Sequence, residues 1–348
     1  MPSTMHSKDS SGGKVVMVSE REELLGEGYW TYRMVHNWAK LPDGWNMGTD
    51  VAGVAVDDAD NVYVFARGAE HPLMVFDQEG NFLRSWGESG MFVRPHAVSF
   101  GHDGCLYCTD DGNHTVRKFS LQGDLLLEIG IPNEPAPRFS GRPFHRCTHT
   151  ALSPQGDIFV SDGYGNARIH KFTPDGKHVM SWGDFGIGPG KFNLPHNITA
   201  DADGWVYVAD RENHRVQVFD GNGRFEAQWH DLHRPCGMCT EAKSKPLSFI
   251  TEAGPQLYAN IDFPNLGPRI AIVDHRGEVL ARICDNGAGI NTNQLLAPHG
   301  IAIDSRYDIY VAELGKMAWP VYNPDAPMPD VLPNLRKLVR MSTGARHD

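Results

Sequence analysis

The chain alternates short apolar runs with turns rich in Gly, Asp, Asn and Pro, and one such arrangement recurs along most of its length. Three segments align directly: RPHAVSFGHDGCLYCTDDGNHTVRKF, THTALSPQGDIFVSDGYGNARIHKF and LPHNITADADGWVYVADRENHRVQVF. Weaker copies are VAGVAVDDADNVYVF and APHGIAIDSRYDIYV, and RPCGMCTEAKSKPLSFITE is the most divergent. Six units of roughly 40 to 60 residues therefore account for nearly the whole sequence.

Within each unit the pattern predicts four β-strands. An apolar strand is followed by an Asp/Gly turn, a strand of V-Y-V type, an Asn-containing turn and a strand that ends in Phe. After a further turn comes a fourth strand, often closed by Trp-Gly. Four strands per repeat are typical of a propeller blade, and these units resemble NHL repeats. We therefore predict an all-β, six-bladed β-propeller with a central channel, as one domain over residues 15–348.

The two ends of the repeat region predict how the ring closes. The alternating stretch 31–38 ends in Trp like the fourth strands, and we expect it to be the outer strand of the last blade. The third strand of that blade is then 335–341, because segment 319–334 is too rich in Pro for strands and reads as an inserted loop. Such a closure removes an exposed sheet edge. Residues 1–14 read as a disordered tail.

One repeat position carries the main chemical signal. A Pro-His pair occurs there in blades two, four and six, and the three histidines are His96, His196 and His299. Alternate blades of a six-bladed ring lie about 120° apart, so the three side chains are expected to converge on the channel axis. Three imidazoles with an open fourth position are typical of catalytic zinc, although other divalent transition ions accept them too. The alternative is that each His makes its own separate hydrogen bond.

Blades one, three and five carry Gly53, Thr148 and Cys236 at that position, so Cys236 is a possible channel neighbour. His149 follows Thr148 and is another. The ends of the second strands are acidic in four blades, and Asp110 and Asp162 are counted among the possible neighbours although such carboxylates also support loops.

Three further residues suit the same site. Arg67 interrupts the acidic pattern at the ends of the second strands, and Arg211 follows Asp210 directly. Two guanidinium groups aimed at the channel suit a substrate carboxylate, or alternatively pair with the acidic residues in a structural network. Tyr164 lies in a Gly-rich turn where a bulky aromatic has little packing reason to be; a phenol near a dication and Arg is a candidate base.

Composition narrows the function classes. The chain has 348 residues, a formal net charge of −11 and 22% charged residues, which argues against nucleic-acid binding, and it lacks an apolar run long enough to span a membrane. Cys105/Cys108 and Cys236/Cys239 form two C-x-x-C pairs, but they are too far apart to favour a zinc ribbon. The polar N-terminus shows no signal peptide, so we expect a cytoplasmic protein with reduced thiols.

The motifs together resemble the peptidyl-α-hydroxyglycine α-amidating lyase family. Those that carry the resemblance appear in order as FARG, RPHAVSF, VSDGYGNARI, WGDFGIGPGKFNLPHNITAD, VADRENHRVQVF and APHGIAID. The resemblance implies a six-bladed propeller in which His96, His196 and His299 hold zinc, Tyr164 is the base, and Arg67 and Arg211 assist binding and catalysis. The implied reaction cleaves the C–N bond of a carbinolamide, giving an amide and an aldehyde, which is glyoxylate for the family's parent substrate.

The chain also departs from that family. Gly300 stands where the family has an acidic ligand of a structural calcium, which puts that calcium in doubt, and Gly165, Val208 and Val218 stand in place of disulfide cysteines. With no secretion signal, a small-molecule substrate carrying a carboxylate is favoured over peptide-hormone maturation. Two other functions stay open: a zinc-dependent hydrolase of an amide, ester or lactone, and a non-enzymatic scaffold that presents loops to a protein partner.

Overall fold

A computed structural model describes residues 23–341, and the predicted tail 1–14 lies outside this range. Six four-stranded antiparallel sheets are arranged around a central channel, which confirms the predicted six-bladed propeller. Five blades are each formed by four consecutive strands, and blade six takes its outer strand from the start of the described chain.

The strands have the following bounds. Blade six begins the described chain with β1, Tyr32–Val35. Blade one is β2 Asp50–Val56, β3 Val62–Arg67, β4 Leu73–Phe76 and β5 Phe82–Trp86; blade two is β6 Pro95–Phe100, β7 Leu106–Asp110, β8 Thr115–Phe119 and β9 Leu125–Ile129; blade three is β10 His149–Leu152, β11 Ile158–Asp162, β12 Arg168–Phe172 and β13 His178–Trp182.

The second half of the ring repeats this plan. Blade four is β14 Pro195–Ala200, β15 Val206–Asp210, β16 Arg215–Phe219 and β17 Phe225–Trp229; blade five is β18 Pro235–Thr240, β19 Ser248–Glu252, β20 Arg269–Val273 and β21 Val279–Ile283; blade six adds β22 Pro298–Ile303, β23 Ile309–Glu313 and β24 Leu335–Arg340. Short 3-10 helices cover Gly28–Trp30 and Arg211–Asn213, and the α-helix α1 covers Gly315–Tyr322.

The ring closes where the two ends of the chain meet. Strand β1 pairs antiparallel with β24, with Tyr32 opposite Arg340 and Val35 opposite Lys337. Tyr32 is fully buried there. The inserted segment of blade six differs in part from the loop predicted over 319–334, because residues 319–322 form the end of α1. The Asp50 carboxylate accepts the Lys316 amide at the start of this helix (2.9 Å) and so caps it from another blade.

The core lies between neighbouring blades, where the apolar faces of the sheets pack together. Blade one contributes Phe65 and Val75, and blade two contributes Leu106 and Phe119, to a single buried cluster. The Tyr of the V-Y-V strands has a polar partner as well: the Tyr63 hydroxyl donates to the Asp57 carboxylate (2.9 Å). The same bond recurs in blades two, four and six, joining Tyr107 to Asp103, Tyr207 to Asp201 and Tyr310 to Asp304. The Asp lies six residues before the Tyr in blades one, four and six, whereas in blade two Gly101 stands at that position and Asp103 takes its place.

Strand direction sorts the loops onto two faces of the ring. In each blade the first strand begins on the face where the second strand ends, because neighbouring strands are antiparallel. The Pro-His positions and the loops after the second strands therefore share one face. Two of these loops are long, 253–268 in blade five and 314–334 in blade six, and they touch through the Tyr322 hydroxyl, which donates to the Pro255 carbonyl (2.7 Å).

Candidate metal centre

A β-bulge places each of the three histidines. The pairing register between the first two strands shifts between Pro95 and Ala97, between Pro195 and Asn197, and between Pro298 and Gly300. The extra residue is the histidine in each case. A bulged residue leaves the alternating pattern of the strand, so its side chain is re-aimed toward the channel instead of the neighbouring sheet.

The three side chains meet on the channel axis. One ring nitrogen from each of His96, His196 and His299 lies within 4.8 Å of the other two. The ring centroids are 4.7 to 5.0 Å apart, which makes a nearly equilateral triangle. All three histidines are at least nine-tenths buried. Within residues 23–341 no other His, Cys, Asp or Glu cluster has this geometry, so the two C-x-x-C pairs do not form a second one.

The blades between the histidine blades hold the rings in place. The Nδ1 atoms of His96, His196 and His299 donate to the carbonyl oxygens of Thr148 (2.6 Å), Cys236 (2.9 Å) and Ala52 (2.6 Å). A carbonyl oxygen can only accept, so the Nδ1 atom carries the proton and Nε2 is left with a lone pair. Metal-binding histidines are commonly fixed by this kind of bond. In blade one the residue that supports His299 is Ala52. The sequence alignment puts the next residue, Gly53, at this position.

The Tyr164 hydroxyl sits against two of these lone pairs. Its oxygen lies 3.0 Å from His96 Nε2 and 3.1 Å from His196 Nε2. One phenolic proton can satisfy only one of the two nitrogens, and His299 Nε2 is buried with no hydrogen-bond partner. Burial without a partner is costly for a polar atom. A divalent ion held by the three Nε2 atoms would give each of them a partner, so the residues present fit a three-histidine metal site.

The electrostatic surroundings keep the imidazoles neutral. Burial, together with the neighbouring His299, His196 and Arg67, holds the pKa of His96 well below 6.5. Burial and Arg211 do the same for the pKa of His196, and burial and Arg67 for the pKa of His299. Neutral imidazole is the form that binds a metal ion, so the site is in its ligating form at neutral pH.

Tyr164 lies among guanidinium groups. The guanidinium carbon of Arg146 is 4.7 Å from the centre of its ring, and that of Arg211 is 5.9 Å away. Burial raises the pKa of the Tyr164 phenol above 10.0, while Arg211 and Arg67 act in the opposite direction. Burial dominates, so the phenol keeps its proton in the metal-free site, and the guanidinium groups offset only part of that effect.

The two arginines have different attachments. Arg67 Nε donates to the carbonyl of Pro95 (2.7 Å), the residue before His96, and its Nη2 atom is buried with no partner. Burial lowers the pKa of this guanidinium, as does Arg94 nearby. Arg211 Nε donates to the Glu212 carboxylate (2.8 Å). An unpartnered Arg67 donor is available to an anionic ligand.

Two counter-ions of the site escaped the sequence analysis. Glu212 accepts bonds from Arg211 and from Arg234 Nη2 (2.8 Å each), and these arginines hold its pKa at about 2 although burial opposes the shift. The buried Asp111 carboxylate accepts from Arg146 Nη2 (2.6 Å). Asp111 follows directly after Asp110, and Glu212 comes two residues after Asp210. The sequence shows these positions, but it does not show that Arg146 and Arg234, in the connections between blades, pair with them.

The other residues predicted to be neighbours in the channel lie in different parts of the structure. The carboxylates of Asp110 and Asp162 are tied to loop backbone, since Asp110 accepts from the Val93 amide (2.7 Å) and Asp162 from the His145 amide (2.9 Å). They brace loops and take no part in the histidine triangle. The Cys236 Sγ atom does reach the centre, 3.5 Å from His196 Nδ1.

His149 lies deeper in the channel than the three histidines. It lines both the small space beneath them and a cavity of about 220 Å³ that leads to the opposite face. Its Nδ1 atom is buried with no partner, and burial lowers its pKa to about 4.

Comparison with known proteins yields one repeat match and two groups of relatives. A model of the NHL repeat matches residues 192–219. NHL repeat-containing protein 3 from Homo sapiens is 32% identical over 298 residues, covering 82% of this chain and 82% of that protein. Peptidyl-alpha-hydroxyglycine alpha-amidating lyase 1 from Drosophila melanogaster is 30% identical over 260 residues, covering 68% of this chain and 46% of that protein.

Solved structures support the fold. The structure of streptogramin B lyase aligns with a TM-score of 0.57 at 16% identity, over 90% of this chain and 99% of the other. A gluconolactonase from Xanthomonas campestris aligns with a TM-score of 0.55 at 12% identity, over 88% of this chain and 94% of the other. No helix within residues 23–341 has the length and apolar character needed to cross a membrane.

Proposed function

Because this chain belongs to the family of NHL repeat-containing protein 3 and is homologous to the amidating lyases, we propose that it is a metal-dependent lyase acting on a carbinolamide. One observation carries the proposal: the Tyr164 oxygen lies within hydrogen-bond distance of two of the three converging Nε2 atoms. The candidate base therefore lies beside the three neutral imidazoles that would bind a divalent ion. Zinc is the first candidate for that ion.

The charges around the three histidines suit the proposed substrate. A small molecule R–CO–NH–CH(OH)–COO⁻ brings a hydroxyl to the phenol and a carboxylate to the guanidinium groups. Arg67 supplies its unpartnered Nη2 donor, and Arg211 is positioned by Glu212. A bidentate guanidinium orients a carboxylate well, and so aligns the hydroxyl with the Tyr164 oxygen.

The reaction requires one proton to move and one bond to break. When bound, the divalent ion acts as a Lewis acid toward a substrate oxygen. Tyr164, as phenolate, takes the hydroxyl proton; the O–H electron pair forms the C=O bond, and the C–N electrons leave with nitrogen. Tyr164 then returns a proton to that nitrogen. The products are the primary amide and an aldehyde, with no water consumed.

Product identification tests this function. We expect the zinc-loaded protein to convert N-benzoyl-α-hydroxyglycine to benzamide and glyoxylate, and His196→Ala to lose that activity. Benzoic acid in place of benzamide would indicate a hydrolase instead. Absence of both turnover and bound metal would favour the protein-interaction scaffold.

A further inference from the structure

Exposed apolar side chains are distributed unequally between the two faces of the ring. The face with the three histidines carries many of them in its loops, including Met91, Phe139, Phe185, Ile187, Tyr258 and Val331. The remaining ones lie on outer strands or near the ends of the described chain. Within residues 23–341 the turns of the opposite face expose no large apolar side chain. Apolar exposure on this scale commonly marks a binding surface.

Two of these residues, Phe139 and Phe185, lie in contact, and together with Ile187, two residues beyond Phe185, they define what we call the apolar shelf. The rings of Phe139 and Phe185 pack edge to face with centroids 4.4 Å apart. Yet Phe139 remains 55% exposed, Phe185 41% and Ile187 82%. The two rings therefore contact each other while about half of their surface faces solvent, and the Arg138 guanidinium carbon lies 4.7 Å from the centre of the Phe139 ring.

The apolar shelf is joined to the turn that carries the candidate base. The Phe139 amide donates to the carbonyl of Gly165, the residue after Tyr164 (2.8 Å). On the other side, the Asn213 side chain donates to the carbonyl of Gly186, between Phe185 and Ile187 (2.9 Å). Asn213 belongs to the short helix that begins with Arg211. Both halves of the shelf thus rest on the turns that place Tyr164 and Arg211.

Gly165 makes this close approach possible. A Cβ atom at that position would lie 2.1 Å from His145 Cδ2 and 2.9 Å from the His145 carbonyl oxygen. His145 belongs to the loop 130–148 that also carries Phe139. Any larger residue at 165 would therefore push this loop, and the shelf with it, away from the Tyr164 turn.

A polar cavity lies on another side of the centre. It has a volume of about 450 Å³, lies between blades one and two, and is lined by Arg67 and Arg94 among others. Tyr164 and the shelf belong to blade three and its two connections. An anionic group and an apolar group of one ligand thus have separate places on the same face.

We propose that the apolar shelf binds an alkyl or aromatic group on the amide side of the substrate, with the substrate's carboxylate directed to Arg67. This inference rests on the proposed function, and it narrows the substrates to amphiphilic N-acyl compounds. A group R that covers the two Phe rings gains binding energy with each methylene it buries.

The test compares N-acetyl-, N-octanoyl- and N-benzoyl-α-hydroxyglycine on the full-length zinc-loaded protein. We expect KM to be at least about tenfold lower for the octanoyl than for the acetyl compound. The double variant Phe139→Ser/Phe185→Ser should reduce that ratio to about threefold or less while kcat and the acetyl KM stay unchanged. The matched control is Leu125→Ser/Val179→Ser, which removes two comparably exposed apolar side chains from outer strands.

A second measurement separates this inference from the proposed function. Calorimetric titration with unreactive N-octanoylglycine and N-acetylglycine measures the same preference without turnover. If no hydroxyglycine reacts but the chain-length preference appears and depends on Phe139 and Phe185, the lyase proposal fails and the shelf stands. Equal affinity for both ligands, or a preference kept by the double variant, would overturn the shelf. The shelf proposal would also be overturned if no chain-length preference appeared and the wild type formed a dimer that the double variant did not form.

Discussion

The His299 ring donates from Nδ1 to the carbonyl oxygen of Ala52 at 2.6 Å, across the junction between the last blade and the first. The same arrangement joins blade two to blade three and blade four to blade five. Even-numbered blades therefore supply the imidazoles, and odd-numbered blades fix the tautomer that leaves each Nε2 lone pair on the axis. Because alternate blades have these two different roles, the histidines occur in every second blade.

Metal content should depend on each of the three rings. We expect about one equivalent of zinc per chain in the wild type and almost none in His96→Ala, His196→Ala or His299→Ala, because two imidazoles form a much weaker site. Elemental analysis after gel filtration measures this. His275→Ala is the control, since His275 is exposed in a turn of blade five. Equal zinc in all of these proteins would rule out the histidine triangle as the metal site.

Removal of the Tyr164 hydroxyl should separate chemistry from metal binding. We expect Tyr164→Phe to keep its zinc and to lose at least about 100-fold in kcat, because a general base typically contributes that much. Steady-state kinetics on a hydroxyglycine substrate, with zinc measured on the same sample, tests this. Tyr258→Phe, at a 97% exposed position, is the matched control. Full turnover in Tyr164→Phe would contradict the role of the phenol.

Glu212 should act by positioning arginines. In Glu212→Gln the negative charge that holds Arg211 and Arg234 is lost, so we expect about a tenfold rise in KM for a carboxylate substrate and unchanged zinc content. A substrate whose carboxylate is replaced by an amide should be less affected. The control Glu278→Gln breaks a comparable but exposed pair with Arg276. A variant that loses kcat at constant KM would point to a different role.

The metal-free protein should lose stability in mild acid. Burial lowers the pKa of His149 to about 4, and burial with His214 lowers that of His233 to about 4, from 6.5. The unfolded chain binds protons on these residues first, so the free energy of unfolding falls as the pH drops from about 6.5 to about 4. We expect His149 alone to contribute a loss of about 2 kcal/mol between pH 7 and pH 5 in urea unfolding of chelated protein, with His96, His196 and His299 adding to it.

A double variant tests the origin of that acid sensitivity. His149→Gln/His233→Gln should show a smaller dependence of the unfolding free energy on pH than the wild type, because neither position then takes up a proton on unfolding. A curve as steep as that of the wild type would assign the effect to other groups.

The sequence was sufficient for the propeller and for the convergence of three histidines, because both follow from residues that recur at one repeat position. The position of the bulge in blade one was assigned wrongly. Alignment places Gly53 opposite the histidines, whereas the bulged residue that supports His299 is Ala52. The second-strand Tyr marks the position, since Tyr107 follows His96 by 11 residues and Tyr63 follows Ala52 by 11, so the error lay in the alignment.

The loops set a second limit to sequence reasoning. Asp110 and Asp162 end their strands beside the channel, as their repeat position indicates, but their carboxylates bind the backbone of the preceding loops. The apolar shelf and the Glu212–Arg234 pair likewise arise from connections that differ in length between blades. Contacts between loops of unequal length depend on three-dimensional paths that no repeat alignment contains.

The closing strand and the histidine triangle together have a mechanical consequence. Strand β1 joins the first and last blades at the outer edge of the ring, and an ion held by His96, His196 and His299 would join blades two, four and six at the inner edge. These histidines lie about 100 residues apart along the chain. Bound metal would therefore oppose the separation of these blades at the axis as well as at the closing strand, and so slow the unfolding of the ring.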